Sequence, residues 1–345
     1  MKKPIIVLTI PTLQGNGAER VALTLATGFE KQGCEVHIIL TLRNSIEVEY
    51  DGKFKIHHFK RYYRWIPKLI RGRILSPFLD KFIFKQCGEP NLVLSNLILS
   101  DRMLCHSKFN AYLIIHNTMS KEGGNYAELK SIYTKKPVVC VSKGVKNDFD
   151  KMLESRYPSY SIYNAIDIDF VKRQSIEFQP KYQDYLVHVG GFKEQKRHDI
   201  LIKAYHQSGV ENPLVLIGKG KLQKECKELV DELGLNQKVL FAGFQSNPYP
   251  FIKNAKLMVL SSDFEGFGMV ITEALALNTP VISTDCPSGP SEILPQNNLV
   301  PVGNTNALAD KIVDAVANVR KYESAIKNDF LLEHQITKYL QLIDK

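Results

Sequence analysis

The stretch SSDFEGFGMVITEALALNTPVIS, residues 261–283, carries two glutamates, Glu265 and Glu273, in an otherwise apolar setting. Glu265 precedes Gly266, Phe267 and Gly268 and belongs to a loop. Glu273 falls about two turns into a helix expected from Phe267 to Leu277. Every residue of that helix except Thr272 and Glu273 is apolar or small, which marks a buried helix, and a buried carboxylate needs a hydrogen-bonding partner. The amides of Gly268, Met269 and Val270, beside Phe267, are the unpaired donors of the helix start. An acceptor in the loop, donors at the helix tip and a second acceptor deeper in match the sugar hydroxyls, diphosphate and ribose diol of a nucleoside diphosphate sugar. The plainer alternative is a solvated loop acid and an ordinary helix acid.

Such groups need a scaffold, and short apolar runs alternate with helical patterns along the chain. Strands are expected at 5–10, 36–42, 55–59, 92–95, 112–116 and 138–141. After a break near 163–169 the pattern restarts at 186–189, 214–217, 239–242, 257–261, 281–284 and 299–302. Two such series imply two Rossmann-like domains with parallel sheets, whose ligands bind beyond the carboxyl ends of the strands.

The loops at those ends are rich in glycine. TLQGNGAER follows the first strand and places Gly15 and Gly17 at a helix start, where free amides favour an anion or a sugar oxygen. Arg20 stands where a dinucleotide fingerprint needs its third glycine. IIHNTMSKEGG puts His116 and Asn117 at a strand end. HVGGFKEQKRHDILIKAY puts Gly190 and Gly191 in a turn, with Lys196 and Arg197 expected at the next helix start, a position cations avoid unless an anion is held there. Gly218 with Gly220, and Gly289 with Ser291 and Glu292, repeat the strand-turn-helix pattern. Several glycine turns on one rim with two cations and two glutamates point to a phosphorylated ligand whose hydroxyls are also read.

The composition is that of a folded globular protein, with 345 residues, 44% hydrophobic and 23% charged. The start MKKPIIVLTIP imitates a secretory leader, but its apolar run is short and it reads as a first strand. No stretch of apolar residues is long enough to span a bilayer. The six scattered cysteines suit reduced, buried thiols in the cytoplasm. The net charge of +9 is concentrated between Lys53 and Lys85, where ten basic residues face one acid, Asp80, among many aromatic and aliphatic residues that include the single tryptophan, Trp65. This mixture suits a segment lying on an anionic membrane. A solvated basic face over ordinary core is the alternative, and no motif for nucleic acid accompanies the charge.

The stretch EGFGMVITEALA resembles the Glu-x7-Glu motif of retaining glycosyltransferases of family 4, which have the GT-B fold. GNGAER, HN, VSKGVKNDF, YNAID, VGGFKEQKRHDILIKA, LIGKGKL, LFAGF and CPSGPSEIL follow the family's order over nearly the whole chain. The resemblance implies an α/β protein with two Rossmann-like domains facing each other across a cleft: an acceptor domain at 1–165, a donor domain at 166–320, and a C-terminal helix at 321–345 crossing back to the first. It implies Glu273 on the donor ribose, Glu265 on the transferred sugar and His116 near the reacting centre. Lys196 would meet the diphosphate, with Gly17, Gly190, Gly191, Gly218, Phe267, Gly268, Met269 and Val270 around the donor and Glu19, Arg20 and Asn117 toward the acceptor. Family members commonly have arginine where this chain has Gly191, and Arg197 is the candidate to replace it. The sequence DID at 167–169 resembles a metal-binding motif of the other large glycosyltransferase fold but lies at the expected domain crossover, so no metal or other cofactor is expected. The implied activity is transfer of a hexosyl or N-acetylhexosaminyl group from a nucleotide sugar, UDP by family frequency, to a lipid-linked oligosaccharide or lipopolysaccharide acceptor at the inner face of the cytoplasmic membrane. A soluble acceptor, or a silent sugar-binding subunit of an envelope assembly complex, is the alternative.

Overall fold

The computed structural model describes residues 3–42, 52–59 and 66–345. The chain forms two compact units, residues 1–165 with 329–345, and residues 166–328.

The first unit is built on a seven-stranded sheet: β1 (Ile5–Ile10), β2 (Glu35–Leu40), β3 (Lys55–His58), β4 (Leu92–Asn96), β5 (Ala111–Ile115), β6 (Val138–Cys140) and β7 (Ser159–Ser161). Its spatial order is β3-β2-β1-β4-β5-β6-β7, with every pair parallel. The central strands are covered on both faces, so they are apolar without alternation; all six residues of β1 are buried. β7 was not expected from the sequence, because SYS is short and half polar and leaves no apolar run.

The second unit holds β8 (Leu186–Val189), β9 (Leu214–Ile217), β10 (Val239–Gly243), β11 (Leu257–Leu260), β12 (Val281–Thr284) and β13 (Leu299–Val300), in the parallel order β10-β9-β8-β11-β12-β13. One core runs beneath this sheet through Leu186, Leu201, Leu214, Leu257, Leu308 and Ile312.

The last helix is Leu332–Leu340, shorter than the helical stretch expected at 321–342. It belongs to the first unit, where Tyr339 meets Phe29 edge-on with ring centroids 6.1 Å apart. The Tyr112 hydroxyl donates to the Leu342 carbonyl at 3.3 Å. Tyr322, by contrast, is buried in the core of the second unit.

Candidate active site

In each sheet the strand order reverses beside its first strand, between β1 and β4 and between β8 and β11. Such a switch point leaves a crevice at the strands' carboxyl ends, because the chain departs from the two strands in opposite directions. Each sheet places predicted residues there.

In the second unit the loops leaving β8 and β11 are stitched together. The Asp263 amide donates to the Gln195 carbonyl at 2.9 Å, Gln195 Nε2 to the Phe264 carbonyl at 2.7 Å, and Ser261 Oγ to the Lys196 carbonyl at 2.8 Å. This backbone frame brings Lys196 Nζ to 2.6 Å from Glu265 Oε1, which also accepts from Ser262 Oγ at 2.6 Å. Glu265 is 6% exposed. Enclosing a carboxylate this far is costly without strong partners, and the two residues expected to hold sugar and diphosphate hold each other.

Lys196 and Arg197 do not open a helix as the sequence suggested. Lys196 ends a short 3-10 turn, Glu194–Lys196, and Arg197 has φ +47° before the helix His198–Ser208 begins. The Arg197 guanidinium binds both oxygens of Asp199 at 2.9 Å and both of Asp263 at 3.2 Å, and these hydrogen bonds, those of Asp199 first, raise its pKa further. Its charge is spent clasping the two loops, so it does not stand as a spare phosphate ligand in place of an arginine at Gly191.

The helix after β11 is Met269–Ala276, starting two residues later than expected. Gly268 caps it in the left-handed region with no side-chain acceptor, and no acid occupies its first turn. Neither a capping side chain nor a first-turn acid therefore offsets the partial positive charge of that end. Phe267 is buried at 2% exposure and packs the turn. Glu273 is 5% exposed, and the partner sought from the sequence includes Tyr249, whose hydroxyl donates to Oε1 at 3.4 Å. Tyr249 was missed; the only signal was NPYPF just beyond β10. Two further loops close on the rim. A Cβ on Gly218 would lie 2.0 Å from the Gly190 carbonyl oxygen, and one on Gly289 would lie 2.0 Å from that of Phe267, both at positive φ. Only glycine allows these approaches.

Beneath Gly190 lies a histidine that sequence reasoning also passed over, because it sits in mid-strand. His188 donates through Nδ1 to the Val259 carbonyl at 2.8 Å, and among the described residues Nε2 has no partner. Burial pushes its pKa down to about 4 and lowers that of His198, which stacks on Phe192 at 4.1 Å. Both are neutral packing groups at pH 7.

In the first unit the loop after β1 is filled from within. The Glu19 carboxylate accepts from the amides of Gln14 (2.7 Å), Gly15 (2.7 Å) and Asn16 (3.0 Å) and from Thr12 Oγ1 (2.6 Å). The Glu19 amide in turn donates to Asn16 Oδ1, completing a capping box. Glu19 is 0% exposed. This corrects two expectations: the amides of Gly15 and Asn16 already hold an anion, and Glu19 is a loop-forming residue with no surface for an acceptor. Gly17, the first residue of that helix, faces open space, and Arg20 beside it is partly exposed.

His116 lies just past β5 with Nε2 2.9 Å from Asn96 Oδ1. The Asn96 amide nitrogen donates to the carbonyls of Thr9 and Leu94 at 3.3 and 3.4 Å, so its oxygen must accept and His116 carries its proton on Nε2. Burial pushes His116 down to about 4. At pH 7 it is a neutral, oriented imidazole. Asn117 turns its side-chain oxygen back to the Thr118 amide at 3.0 Å. Asn96 was not expected, since an asparagine ending an apolar run reads as a turn signal. Among the described residues no group of three or more His, Cys, Asp or Glu is placed to hold a metal ion.

Residues 15–170 match the family model described as Glycosyltransferase Family 4, and residues 171–330 match Glycosyl transferases group 1. The N-acetylgalactosamine-N,N'-diacetylbacillosaminyl-diphospho-undecaprenol 4-alpha-N-acetylgalactosaminyltransferase of Campylobacter jejuni is 31% identical over 191 residues, 52% of each chain. The lipopolysaccharide core biosynthesis glycosyltransferase LpsE of Rhizobium meliloti is 25% identical over 95% of each. LpsE apart, the chain spans about half the length of most curated relatives it matches. A crystal structure of a Staphylococcus aureus TarM mutant with fondaparinux, alpha-GlcNAc-glycerol and UDP superposes over 100% of both chains with a TM-score of 0.78 at 14% identity. That likeness speaks to the fold. Two parallel Rossmann-like units, matched half by half to glycosyltransferase family models and superposing over the whole of TarM, give this chain the GT-B fold.

Proposed function

We propose that this chain transfers a sugar, hexosyl or N-acetylhexosaminyl, from a nucleotide sugar to a lipid-linked or lipopolysaccharide glycan, with retention of anomeric configuration. The observation that carries the reading is the Lys196–Glu265 pair held beside an uncapped helix start at the switch point of the second sheet. Breaking the bond between sugar and diphosphate puts negative charge on the leaving phosphate and positive charge on the sugar. Fixed donors at the helix tip and the Lys196 ammonium stabilise the first without reorganising. Glu265 orients the sugar and offsets the second, and Glu273, five residues into the helix, takes the ribose hydroxyls. His116 fits a neutral hydrogen-bonding role toward the sugar, since an imidazole held near pKa 4 is a weak base at pH 7. This assignment gives the leaving-group charge to protein groups and leaves no step to a metal. UDP is the preferred nucleotide.

The acceptor side rests on the relatives' names and on the helix Lys68–Cys87. Ile70, Ile74, Phe78 and Phe84 are each more than 40% exposed on one side of this helix, interleaved with exposed Arg73, Lys81 and Lys85, while Leu75, Leu79 and Ile83 pack inward. An apolar face studded with cations suits the headgroup region of an anionic bilayer. Lys60, Arg61, Arg64 and Trp65 of the same basic run lie outside the described residues. No helix among the described residues is long and apolar enough to cross a membrane, so the proposed attachment is peripheral, at the inner face of the cytoplasmic membrane. Co-sedimentation with vesicles containing phosphatidylglycerol should be lost when Arg73, Lys81 and Lys85 become glutamate, and unchanged binding would leave a soluble acceptor as the better reading.

The donor reading is tested by thermal stabilisation with UDP, GDP, ADP and CMP. One nucleotide should stabilise the wild type, and Lys196→Ala and Glu273→Ala should each lose the shift. Absence of any shift would favour a silent binding subunit.

A further inference from the structure

The strand-end loops of the second unit carry five cations on the rim, Lys193, Lys196, Arg197, Lys219 and Lys221, and four of these are engaged. Lys196 is neutralised by Glu265 at 2.6 Å, Arg197 by Asp199 and Asp263, and Lys221 by Glu194 at 2.8 Å. The Lys219 ammonium lies over the Phe244 ring, 4.3 Å from its centroid. Lys193 alone has no carboxylate or ring partner among the described residues, and it is exposed.

Its place is fixed by the backbone. The Lys193 amide donates to the Gly191 carbonyl at 2.8 Å, a tight turn that folds residue 193 back over residue 191. The residue between them, Phe192, is fully buried against His198 and Phe241, so the turn is anchored. The Lys193 stem then lies alongside the place where a side chain at 191 would begin: a Cβ built on Gly191 would stand 3.3 Å from the Lys219 carbonyl oxygen, 3.6 Å from Lys193 Cε and 3.9 Å from Cγ.

We infer that Lys193 is a second cation for the donor diphosphate, reaching over the bare backbone of Gly191. This rests on the reading of the rim as a nucleoside diphosphate site. An entering diphosphate brings at least two negative charges, and Lys196 can meet them only by loosening its hold on Glu265. Lys193 is available without breaking any pair, and its anchored turn keeps the ordering cost to its own side chain.

The test is calorimetric titration of the full chain with UDP, and with GDP and ADP in parallel, using wild type, Lys193→Ala, Lys193→Arg and Lys219→Ala; UMP serves as the monophosphate control. Lys193→Ala is expected to weaken the bound diphosphate about tenfold, the usual size of one charge-assisted hydrogen bond. The effect on UMP should be smaller, Lys193→Arg should restore most of the affinity, and the melting temperature should stay unchanged because Lys193 is exposed. Unchanged diphosphate affinity in Lys193→Ala, equal losses for UMP and UDP, or a loss in Lys219→Ala alone would overturn the inference. Failure of all three diphosphates to bind the wild type would instead remove the donor reading beneath it.

Discussion

Replacing Glu265 with glutamine separates the two roles proposed for it. In the resting chain its carboxylate lies 2.6 Å from Lys196 Nζ. At an effective dielectric constant of about 20, the gross attraction at this distance is about 6 kcal/mol, most of it offset by the desolvation both groups have already undergone. A nucleoside diphosphate bound as proposed must compete for the same ammonium, so part of its binding energy goes into displacing Glu265. Glu265→Gln keeps the shape and the acceptor for Ser262 but removes that competition. Binding of UDP without a sugar is expected to tighten by about tenfold, corresponding to about 1.4 kcal/mol, while sugar transfer falls by at least about a hundredfold because the developing positive charge loses its carboxylate. Calorimetry with UDP, paired with transfer assays on the intact donor, reads both. Weakening of UDP to the extent seen in Lys196→Ala would refute the reasoning, since it would mean that Glu265 holds Lys196 in its binding pose.

Further outcomes follow from the same geometry. Glu19→Ala strands three amides and a hydroxyl around a buried site, a loss of about 3–5 kcal/mol, and the melting temperature should fall by about 10 °C; a near-neutral effect in a melt would show that the loop re-forms without its carboxylate. Tyr249→Phe should weaken nucleotide binding several-fold with little change in transfer rate at saturation, which a comparison of KM and kcat reads directly. Activity should survive dialysis against EDTA, and abolition reversed by added Mg2+ or Mn2+ would remove the assignment of leaving-group charge to protein groups. His116, His188 and His198 have folded pKa values below the ordinary 6.5, so the unfolded chain binds more protons and their contribution is lost as pH falls from about 6.5 toward 4. Asp101, raised to about 8 by burial between Ser95 and Tyr133, has the opposite sign: its contribution is lost as pH rises from about 4 to 8. Urea melts should show Asp101→Asn flattening the fall in stability between pH 6 and 8, and an unchanged slope would show that Asp101 is ionised in the folded chain.

Much of this was legible because parallel strands buried on both faces must be apolar throughout, as in Ile5–Ile10 and Leu257–Leu260. Among the described residues, twelve of the thirteen strands fall on runs visible in the sequence; β7 does not, because an edge strand needs no apolar face. The strand-to-helix turns were equally visible through their glycines. What escaped was side-chain commitment. Arg197 and Lys196 are neighbours with the same charge, yet one closes on two aspartates and the other on Glu265. Arg197 stands at φ +47°, a left-handed turn that no spacing rule foretells. Asn96 and Tyr249 were missed for a related reason: each acts by holding another residue, His116 or Glu273, and neither sits in a pattern of its own.

Glu19 and Glu265 show the same chemistry in two settings, a closed loop in one unit and the proposed donor site in the other. Both are carboxylates buried beside a glycine loop at a switch point. Glu19 collects four donors, three of them backbone amides of its own loop. Removing any of the three amides would require the loop itself to refold, so no ligand can exchange with them at a modest energy. Glu265 holds an ammonium on a flexible stem and a serine hydroxyl, each able to rotate while the backbone frame of Gln195, Ser261 and Asp263 stays bonded. A ligand can take Lys196 and leave that frame intact. Exchangeability of partners, more than burial or charge, is therefore what separates the carboxylate proposed to meet the donor from the one that builds a loop, and it is why the Glu265→Gln experiment is informative while Glu19→Ala reports only on stability.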